Sequence, residues 1–303
     1  MRRKQYHEAY PHNEISMKHI RIISPSGAIE KNYIERACAR LESWGMQVSV
    51  GKHAYGVCGR FAGTAEERLE DLNAAFADAS VDVILCSRGG YGLQQIVDKI
   101  VLPTRPKSAW PLVVGFSDIT ALHAVMSLHS VPSLHASMCK ALATLDDESP
   151  VLGMMREALE KGKSFQNFNS SRLDGYETIK EQLRGRRVIG GNLSVLYGLQ
   201  GTPYSLNAII DKMDELPVLL IEDVSERHYH IDRMLNNLRL SGLMARLSGV
   251  IVGQFTDCGD DALMGCTVRD SINQAFAGYD YPVLWNAPYG HVDDNEPIIL
   301  STL

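Results

Sequence analysis

From residue 19 onward, the chain alternates short, continuous runs of apolar residues with stretches in which apolar residues recur at helical spacing. Residues 81–85, interrupted only by Asp82, and residues 112–114 are two such runs, and turns rich in glycine and serine follow them. Strands that are apolar on both faces occur in parallel sheets covered by helices on both sides. We therefore expect residues 19–145 to form a doubly wound, Rossmann-like α/β domain, with functional side chains beyond the carboxyl ends of its strands.

The remainder of the chain is less regular. Residues 146–186 are polar and are expected to form a connector with some helix, and residues 1–18 are expected to be a loose extension. Residues 187–303 predict a second, mixed α/β domain. Its expected strands lie near 187–189, 217–222, 249–254 and 282–285.

The composition restricts the class of function. Of the 303 residues, 30 are Lys or Arg and 36 are Asp or Glu, which gives a net charge of −6. A mildly acidic chain is not attracted to nucleic acid or to an anionic membrane, so neither partner is expected. No apolar run has the ~18 residues of a membrane helix, and the N-terminus lacks the apolar segment of a signal peptide. A cytoplasmic location is therefore expected, and six cysteines without a CxxC pair are typical of reduced thiols.

Residues 115–118, GFSD, place Ser117 between an apolar strand and a helical stretch. A serine in such a turn projects outward, and backbone N–H groups at the start of a helix stabilise developing negative charge. The nucleophile elbow of α/β-hydrolases has this arrangement as G-x-S-x-G, although Ile119 stands here in place of the second glycine. On the spacing alone, an N-cap formed by Ser117 or Asp118 is the commoner explanation.

Residues 88–92, RGGYG, predict a second turn between a strand and a helix. Glycines at such a turn let backbone N–H groups approach an oxygen atom closely. Gln95 stands where a dinucleotide fingerprint has its third glycine, and the lysine of a P-loop is absent. The pattern favours a cradle for an oxyanion or carboxylate over one for a nucleotide, and a simple tight turn fits equally well. No cofactor is expected.

Two residues of the second half are candidates for acid–base chemistry. Glu222 ends an apolar strand, where a carboxylate can orient a histidine, and His291 follows the last predicted strand. Taken alone, Glu222 also fits a solvated strand end, and a lone loop histidine is more often a surface residue. The other histidines lack the spacing of metal ligands, so no metal site is predicted.

Taken in order, these motifs resemble those of the LD-carboxypeptidases, also called muramoyltetrapeptide carboxypeptidases, a family of serine peptidases whose relatives include the microcin C immunity peptidases. The resemblance extends from about residue 20 to the C-terminus. Further motifs that carry it are residues 24–27 (SPSG), 190–193 (GGNL), 201–203 (GTP), 221–223 (IED), 231–235 (IDRML), 253–257 (GQFTD) and 290–291 (GH). One departure is visible at residues 135–137, HAS, where many relatives have His-Gly-Pro.

The resemblance implies a catalytic triad of Ser117, Glu222 and His291. The serine would lie on the first domain and the other two residues on the second, with the active site in the cleft between the domains. The oxyanion hole would be formed by the backbone N–H groups of Gly90 and Asp118.

Two further assignments concern the glycine-rich turn. Gly89 is an alternative to Gly90 as an oxyanion donor. Arg88 stands at the mouth of the turn, where its guanidinium can pair with the free carboxylate by which an exopeptidase recognises a chain end. Pairing of Arg88 within the protein is the alternative.

The resemblance also implies an activity. The expected reaction is hydrolysis of the L,D-peptide bond that releases the terminal D-alanine from murein tetrapeptides, in peptidoglycan recycling, by a homodimer. Three alternatives remain open: a peptidase of the microcin-immunity type acting on aminoacyl-nucleotide analogues, an inert peptide-binding module, and a conventional α/β-hydrolase esterase.

Overall fold

The computed structural model describes residues 17–166 and 173–300. In chain order, the strands are β1 (His19–Ile23), β2 (Gln47–Val50), β3 (Val83–Cys86), β4 (Leu112–Gly115), β5 (Ser133–His135), β6 (Val188–Asn192), β7 (Val218–Val224), β8 (Gly249–Thr256), β9 (Val283–Leu284) and β10 (Ile298–Leu300). They form a six-stranded sheet in the order β10-β5-β4-β3-β1-β2 and a four-stranded sheet in the order β6-β7-β8-β9.

The helices cover these sheets. In chain order, they are α1 (Lys31–Ser43), α2 (Ala65–Ala77), α3 (Thr120–Leu128), α4 (Cys139–Thr144), α5 (Pro150–Lys161), α6 (Tyr176–Leu183), α7 (Leu193–Gly198), α8 (Leu206–Ile210), α9 (His228–Leu240) and α10 (Val268–Phe276). Among the described residues, none of the helices combines the length and the apolar composition needed to cross a membrane.

Burial explains the apolar runs of the first sheet. Every residue of β3 and β4 is buried, so both faces of these strands are covered. Strands β1 to β5 all run parallel, in the order 2-1-3-4-5 that is typical of a doubly wound sheet. The predicted fold class, a doubly wound α/β half followed by a mixed α/β half, is confirmed.

The second sheet is more regular than its sequence indicates, because all four of its strands run parallel. The connection from β6 to β7 contains two short helices, α7 and α8, instead of one long amphipathic helix. A helix of five or six residues leaves too short a pattern to show helical periodicity. The parallel order of this sheet was therefore not visible in the sequence.

The last strand leaves the second half and completes the first sheet. β10 pairs with β5 in antiparallel register, with Ile298 opposite His135. Its side chains alternate between two cores, since Ile299 packs with residues of the first half while Ile298 and Leu300 pack with residues of the second. The two halves are thus joined by a strand as well as by the chain segment between them.

Helix α3 forms a second junction between the halves. Its residues from Thr120 to Met126 are all buried. The Thr120 Oγ1 accepts a hydrogen bond of 2.9 Å from the N–H of Asn192, the last residue of β6. Gly191 makes this approach possible, because a Cβ atom there would lie 2.5 Å from the same hydroxyl.

The predicted boundaries at residues 19–145, 146–186 and 187–303 stay predictions. The segment expected to be a connector contains α5 and α6, and its residues 167–172 lie outside the described residues. Residues 1–16 of the expected loose extension also lie outside them.

The packing of β10 leads to a stability prediction. We expect Ile298→Ala and Leu300→Ala each to lower the free energy of unfolding by about 2–5 kcal/mol, because both side chains of this strand, which belongs to the first sheet, are fully buried in a core of the second half. Chemical denaturation measures the change. Leu263→Ala is the control, because Leu263 is 95% exposed. Equal stability of the core and control variants would contradict this account of β10.

Candidate active site

Ser117 lies in a tight turn at the carboxyl end of β4. Its φ angle is 65°, a left-handed conformation that is uncommon for a residue with a side chain and that often marks functional sites. One turn of 3₁₀ helix, Ser117–Ile119, leads directly into α3. Ile119 does not prevent this turn: its buried side chain lies over Gly115, where a Cβ atom would be 2.9 Å from Ile119 Cγ1.

The capping explanation of this motif is not supported. No side chain caps the 3₁₀ turn or the start of α3. The Asp118 carboxylate instead accepts hydrogen bonds from Ser26 Oγ at 2.7 Å and from the Leu93 N–H at 2.9 Å. Ser117 is therefore left with its hydroxyl free of a capping role, in a half-buried position.

The glycine-rich turn, residues 88–92, packs closely against Ser117. A Cβ atom at Gly89 would lie 2.7 Å from Ser117 Cβ and 2.9 Å from Ser117 Oγ, so only glycine fits there without displacement. Gly90 has a φ angle of 103°, which also favours glycine. The N–H groups of Gly89 and Gly90 make no hydrogen bond to another described residue. The N–H groups of the predicted donor Gly90 and of its alternative, Gly89, are therefore both available to a ligand in this turn.

Glu222 and His291 form a close pair. His291 Nδ1 lies 2.9 Å from Glu222 Oε2, and the Glu222 side chain is completely buried. An ionised carboxylate only accepts hydrogen bonds, so Nδ1 donates to it and Nε2 is left as the basic nitrogen. Gly290 makes room for the pair: its φ angle is 129°, and a Cβ atom there would lie 3.0 Å from Glu222 Oε2.

The neighbouring carboxylate, Asp223, serves a different purpose. Its oxygens accept hydrogen bonds from Asn192 Nδ2 at 2.9 Å, from the Ser194 N–H at 2.8 Å and from the Val224 N–H at 2.9 Å. Burial raises its pKa to about 7. Asp223 therefore ties β7 to the start of α7, and Glu222 is the acidic residue that contacts His291.

Ser117 and His291 line one cleft of about 670 Å³, together with Arg88, Gly89 and Gly90. The ring of Phe116, the residue before the serine, packs against the His291 ring with 4.8 Å between centroids. The predicted site residues from the two halves of the chain are thus brought to one place.

Arg88 is exposed at the edge of this cleft. Its Nη1 donates a hydrogen bond of 2.6 Å to the carbonyl oxygen of Ala28. It makes no ion pair with an acidic side chain among the described residues, so its remaining N–H groups are available to a ligand.

Sequence reasoning missed Arg68, which is 99% buried beneath the glycine-rich turn. Its Nη1 donates to the carbonyl oxygens of Pro25 at 3.0 Å and Gly92 at 2.8 Å, and its Nη2 donates to Gln95 Oε1 at 2.7 Å. The available signal was position: Arg68 lies four residues before Leu72, on the apolar face of α2. A charged residue on that face needs partners in the interior.

His123 and His135 are interior residues of the first half. His123 bonds to Ser133 Oγ at 2.8 Å and to the Gly115 oxygen at 2.9 Å, and burial lowers its pKa to about 4. Burial also lowers the pKa of His135 to about 3. In residues 17–166 and 173–300, no three side chains of the metal-binding types cluster in a way that would hold an ion.

Comparison with protein-family models gives two matches that together cover most of the chain. Residues 20–136 match the LD-carboxypeptidase N-terminal domain, and residues 185–302 match the LD-carboxypeptidase C-terminal domain. Among curated proteins, a probable murein peptide carboxypeptidase of Bacillus subtilis is 32% identical over 244 residues, which are 78% of this chain and 72% of the relative. A murein tetrapeptide carboxypeptidase of Pseudomonas aeruginosa is 29% identical over 288 residues, with 91% and 89% covered.

Solved structures share the fold. A muramoyltetrapeptide carboxypeptidase from Oxalobacter formigenes superposes with a TM-score of 0.74 at 22% identity, covering 94% of this chain and 93% of the other. The microcin C7 self-immunity protein MccF, in complex with aspartyl sulfamoyl adenosine, also gives a TM-score of 0.74, at 18% identity and with 94% and 91% covered.

The contact between Gly89 and Ser117 leads to a prediction. We expect Gly89→Ala to reduce peptide hydrolysis about 100-fold or more, because the added methyl group must displace either the turn or the serine, and shifts near 1 Å cost about that much. Gly153→Ala is the control, since nothing lies within 4 Å of a Cβ atom there. Turnover and thermal unfolding of both variants measure the effect. If the two variants hydrolyse peptide equally fast, the turn does not position the serine.

Proposed function

Because the chain belongs to the LD-carboxypeptidase family and is a serine-type hydrolase, we propose that it releases the terminal D-alanine from murein tetrapeptides. The observation that carries this proposal is the hydrogen bond between the buried Glu222 and His291, which lines the same cleft as Ser117. A carboxylate, an imidazole and a serine on a left-handed turn are the parts that acyl transfer by a serine nucleophile requires. The names of two relatives, which specify murein peptides, support the substrate class.

The proposed mechanism begins at Ser117. Its Oγ attacks the carbonyl carbon of the L,D-peptide bond while His291 Nε2 takes the hydroxyl proton. Glu222 holds the imidazole with Nδ1 protonated and stabilises the imidazolium that forms. The N–H groups of Gly90, or Gly89, and of Asp118 bind the oxyanion of the tetrahedral intermediate.

Collapse of this intermediate breaks the C–N bond. The amine of D-alanine leaves with the proton carried by His291, and the peptide stays esterified to Ser117. Water then attacks the ester carbonyl carbon while His291 accepts a proton from it. The C–Oγ bond breaks, His291 returns the proton to Ser117 Oγ, and the shortened peptide is released with its new carboxylate. Neither step draws on a cofactor.

Arg88 is proposed to bind the free carboxylate of the leaving D-alanine. The guanidinium lies at the edge of the cleft next to Gly89 and Gly90, and only one of its N–H groups is known to be engaged, by the Ala28 oxygen. A bidentate pair with a carboxylate needs two parallel N–H groups, which a second edge of the guanidinium provides. This contact would make the enzyme an exopeptidase. A cytoplasmic location, expected from the sequence, and a homodimeric assembly, expected from the family resemblance, stay predictions.

Incubation with a murein tetrapeptide tests the proposed function. We expect mass analysis to find the loss of one alanine, and we expect Ser117→Ala to lower the rate by roughly 10⁴-fold or more while leaving the fold intact. An aminoacyl-nucleotide analogue is assayed in parallel. Hydrolysis of the analogue but not of the peptide would favour the microcin-immunity type of activity. Binding of peptide without turnover would favour an inert binding module, and cleavage of simple esters alone would favour an esterase.

The role of Arg88 gives a separate prediction. We expect Arg88→Lys to raise KM more than it lowers kcat, because a bidentate contact becomes a single point charge. Amidation of the substrate's terminal carboxylate should then harm the wild type much more than the variant. If amidation harms both proteins equally, a group other than Arg88 recognises the carboxylate.

A further inference from the structure

One wall of the cleft carries charged groups that the proposed mechanism does not use. It is formed by the start of α1 and by α4, and we call it the α1–α4 wall. The residues that define it are Glu30, Tyr33, Lys140, Ala141 and Thr144, all of which line the cleft with Ser117 and His291. A substrate bound at Ser117 therefore lies close enough to contact the side chains of this wall.

Helix α4 holds its cleft-facing residues in a fixed orientation. Its opposite face is made of buried residues, Cys139, Leu142 and Ala143, and two of these pack in one core with α1. The end of α4 is also tied to α1, because Arg40 Nη1 donates a hydrogen bond of 2.8 Å to the Leu145 oxygen. The base from which Lys140 projects is thus rigid, whereas its ammonium is exposed.

The charges on the wall have no partners within the described protein. The Lys140 ammonium and the Glu30 carboxylate make no hydrogen bond or ion pair with another described side chain, although other exposed charges on α1, such as Lys31 and Glu35, are paired. Glu30 precedes the first residue of α1, yet its side chain does not cap that helix. An unpaired cation and an unpaired anion on one wall of a cleft complement a ligand group that carries both charges.

We propose that the α1–α4 wall binds a substrate side chain that ends in both an ammonium and a carboxylate group, with Lys140 contacting the carboxylate and Glu30 the ammonium. The inference rests on the proposed function. In a murein tetrapeptide, the residue before the terminal D-alanine is either diaminopimelate, whose side chain ends in this pair of groups, or lysine, whose side chain ends in an ammonium alone. Lys140 therefore selects diaminopimelate peptides over lysine peptides.

The cleft has two further residues with permanently charged side chains, and both lie outside the α1–α4 wall. Arg88 lies beside the oxyanion turn and is proposed to bind the terminal carboxylate, and Asp293 lies on the loop two residues after His291. The terminal carboxylate and the diaminopimelate side-chain carboxylate of the substrate are thus contacted by two different cations, so each contact can be removed separately.

The test compares kcat/KM for four tetrapeptides: one with diaminopimelate, one with lysine, one with the diaminopimelate side-chain carboxylate amidated, and one with the D-glutamate carboxylate amidated. We expect Lys140→Met to lower kcat/KM for the diaminopimelate peptide about tenfold or more, mainly through KM. The lysine and side-chain-amidated peptides should be unaffected, because they lack the group that Lys140 contacts. Glu30→Gln should impair diaminopimelate and lysine peptides alike, since both carry the ammonium.

Two further variants serve as controls for the role of the Lys140 charge. Lys212→Met removes an exposed lysine that does not line the cleft, and it should leave the preference for diaminopimelate peptides over lysine peptides unchanged. Lys140→Glu should reverse the preference toward lysine peptides, because the new carboxylate repels that of diaminopimelate and attracts the ammonium. Thermal unfolding confirms that each variant is folded.

The inference is overturned if Lys140→Met lowers kcat/KM equally for all four peptides, or if the loss disappears only when the D-glutamate carboxylate is amidated. In either case the wild type still releases D-alanine, and the proposed function stands. If the wild type hydrolyses none of the peptides, the proposed function itself fails, and the inference fails with it.

Discussion

The buried carboxylate of Asp118 is the contact on which the loops around the serine depend. It accepts hydrogen bonds from Ser26, in the loop after β1, and from Leu93, just after the glycine-rich turn. A buried carboxylate is costly unless it is hydrogen-bonded and balanced by a charge. Both donors and the nearby guanidinium of Arg68 oppose that cost, although burial still raises the pKa of Asp118. Loops that follow three different strands are thereby held against one another at the residue next to Ser117.

Glu222 and His291, the acid–base residues of the site, are positioned by strands and by packing between elements. Glu222 is positioned by β7, a strand buried along most of its length, and the loop that follows β9 brings His291 to it. The serine is carried by β4 and α3, and α3 is locked against β6 by the bond between Thr120 and Asn192. The relative position of the nucleophile and the base is thus fixed by packed secondary structure, which suits chemistry that requires precise alignment.

Local features of this fold could be predicted from the sequence, and long-range ones could not. The buried strands β3 and β4 read as continuous apolar runs, and the Thr64–Glu67 capping box that begins α2 is present as its S/T-x-x-E pattern predicts. The hydrogen bond between Glu222 and His291 joins residues far apart in the chain, so no local pattern contains it, and only the family resemblance pointed to it. The pairing of β10 with β5 was missed for the same reason. The interior position of Arg68 did have a local signal, its place on the apolar face of α2.

The pairing of β10 with β5 also bears on how the protein is made. Contacts between distant segments form late, because a long intervening chain must first be ordered. A ribosome delivers β1 to β5 well before β10, so during synthesis the nascent first sheet presents β5 as an open edge. The serine turn beside that edge can form early, but its histidine partner follows β9 and arrives with the same final segment. The first sheet is therefore closed, and the site completed, at nearly the same time. Once Ser117 has been synthesised, the growing chain carries it without its histidine partner until the last segment emerges.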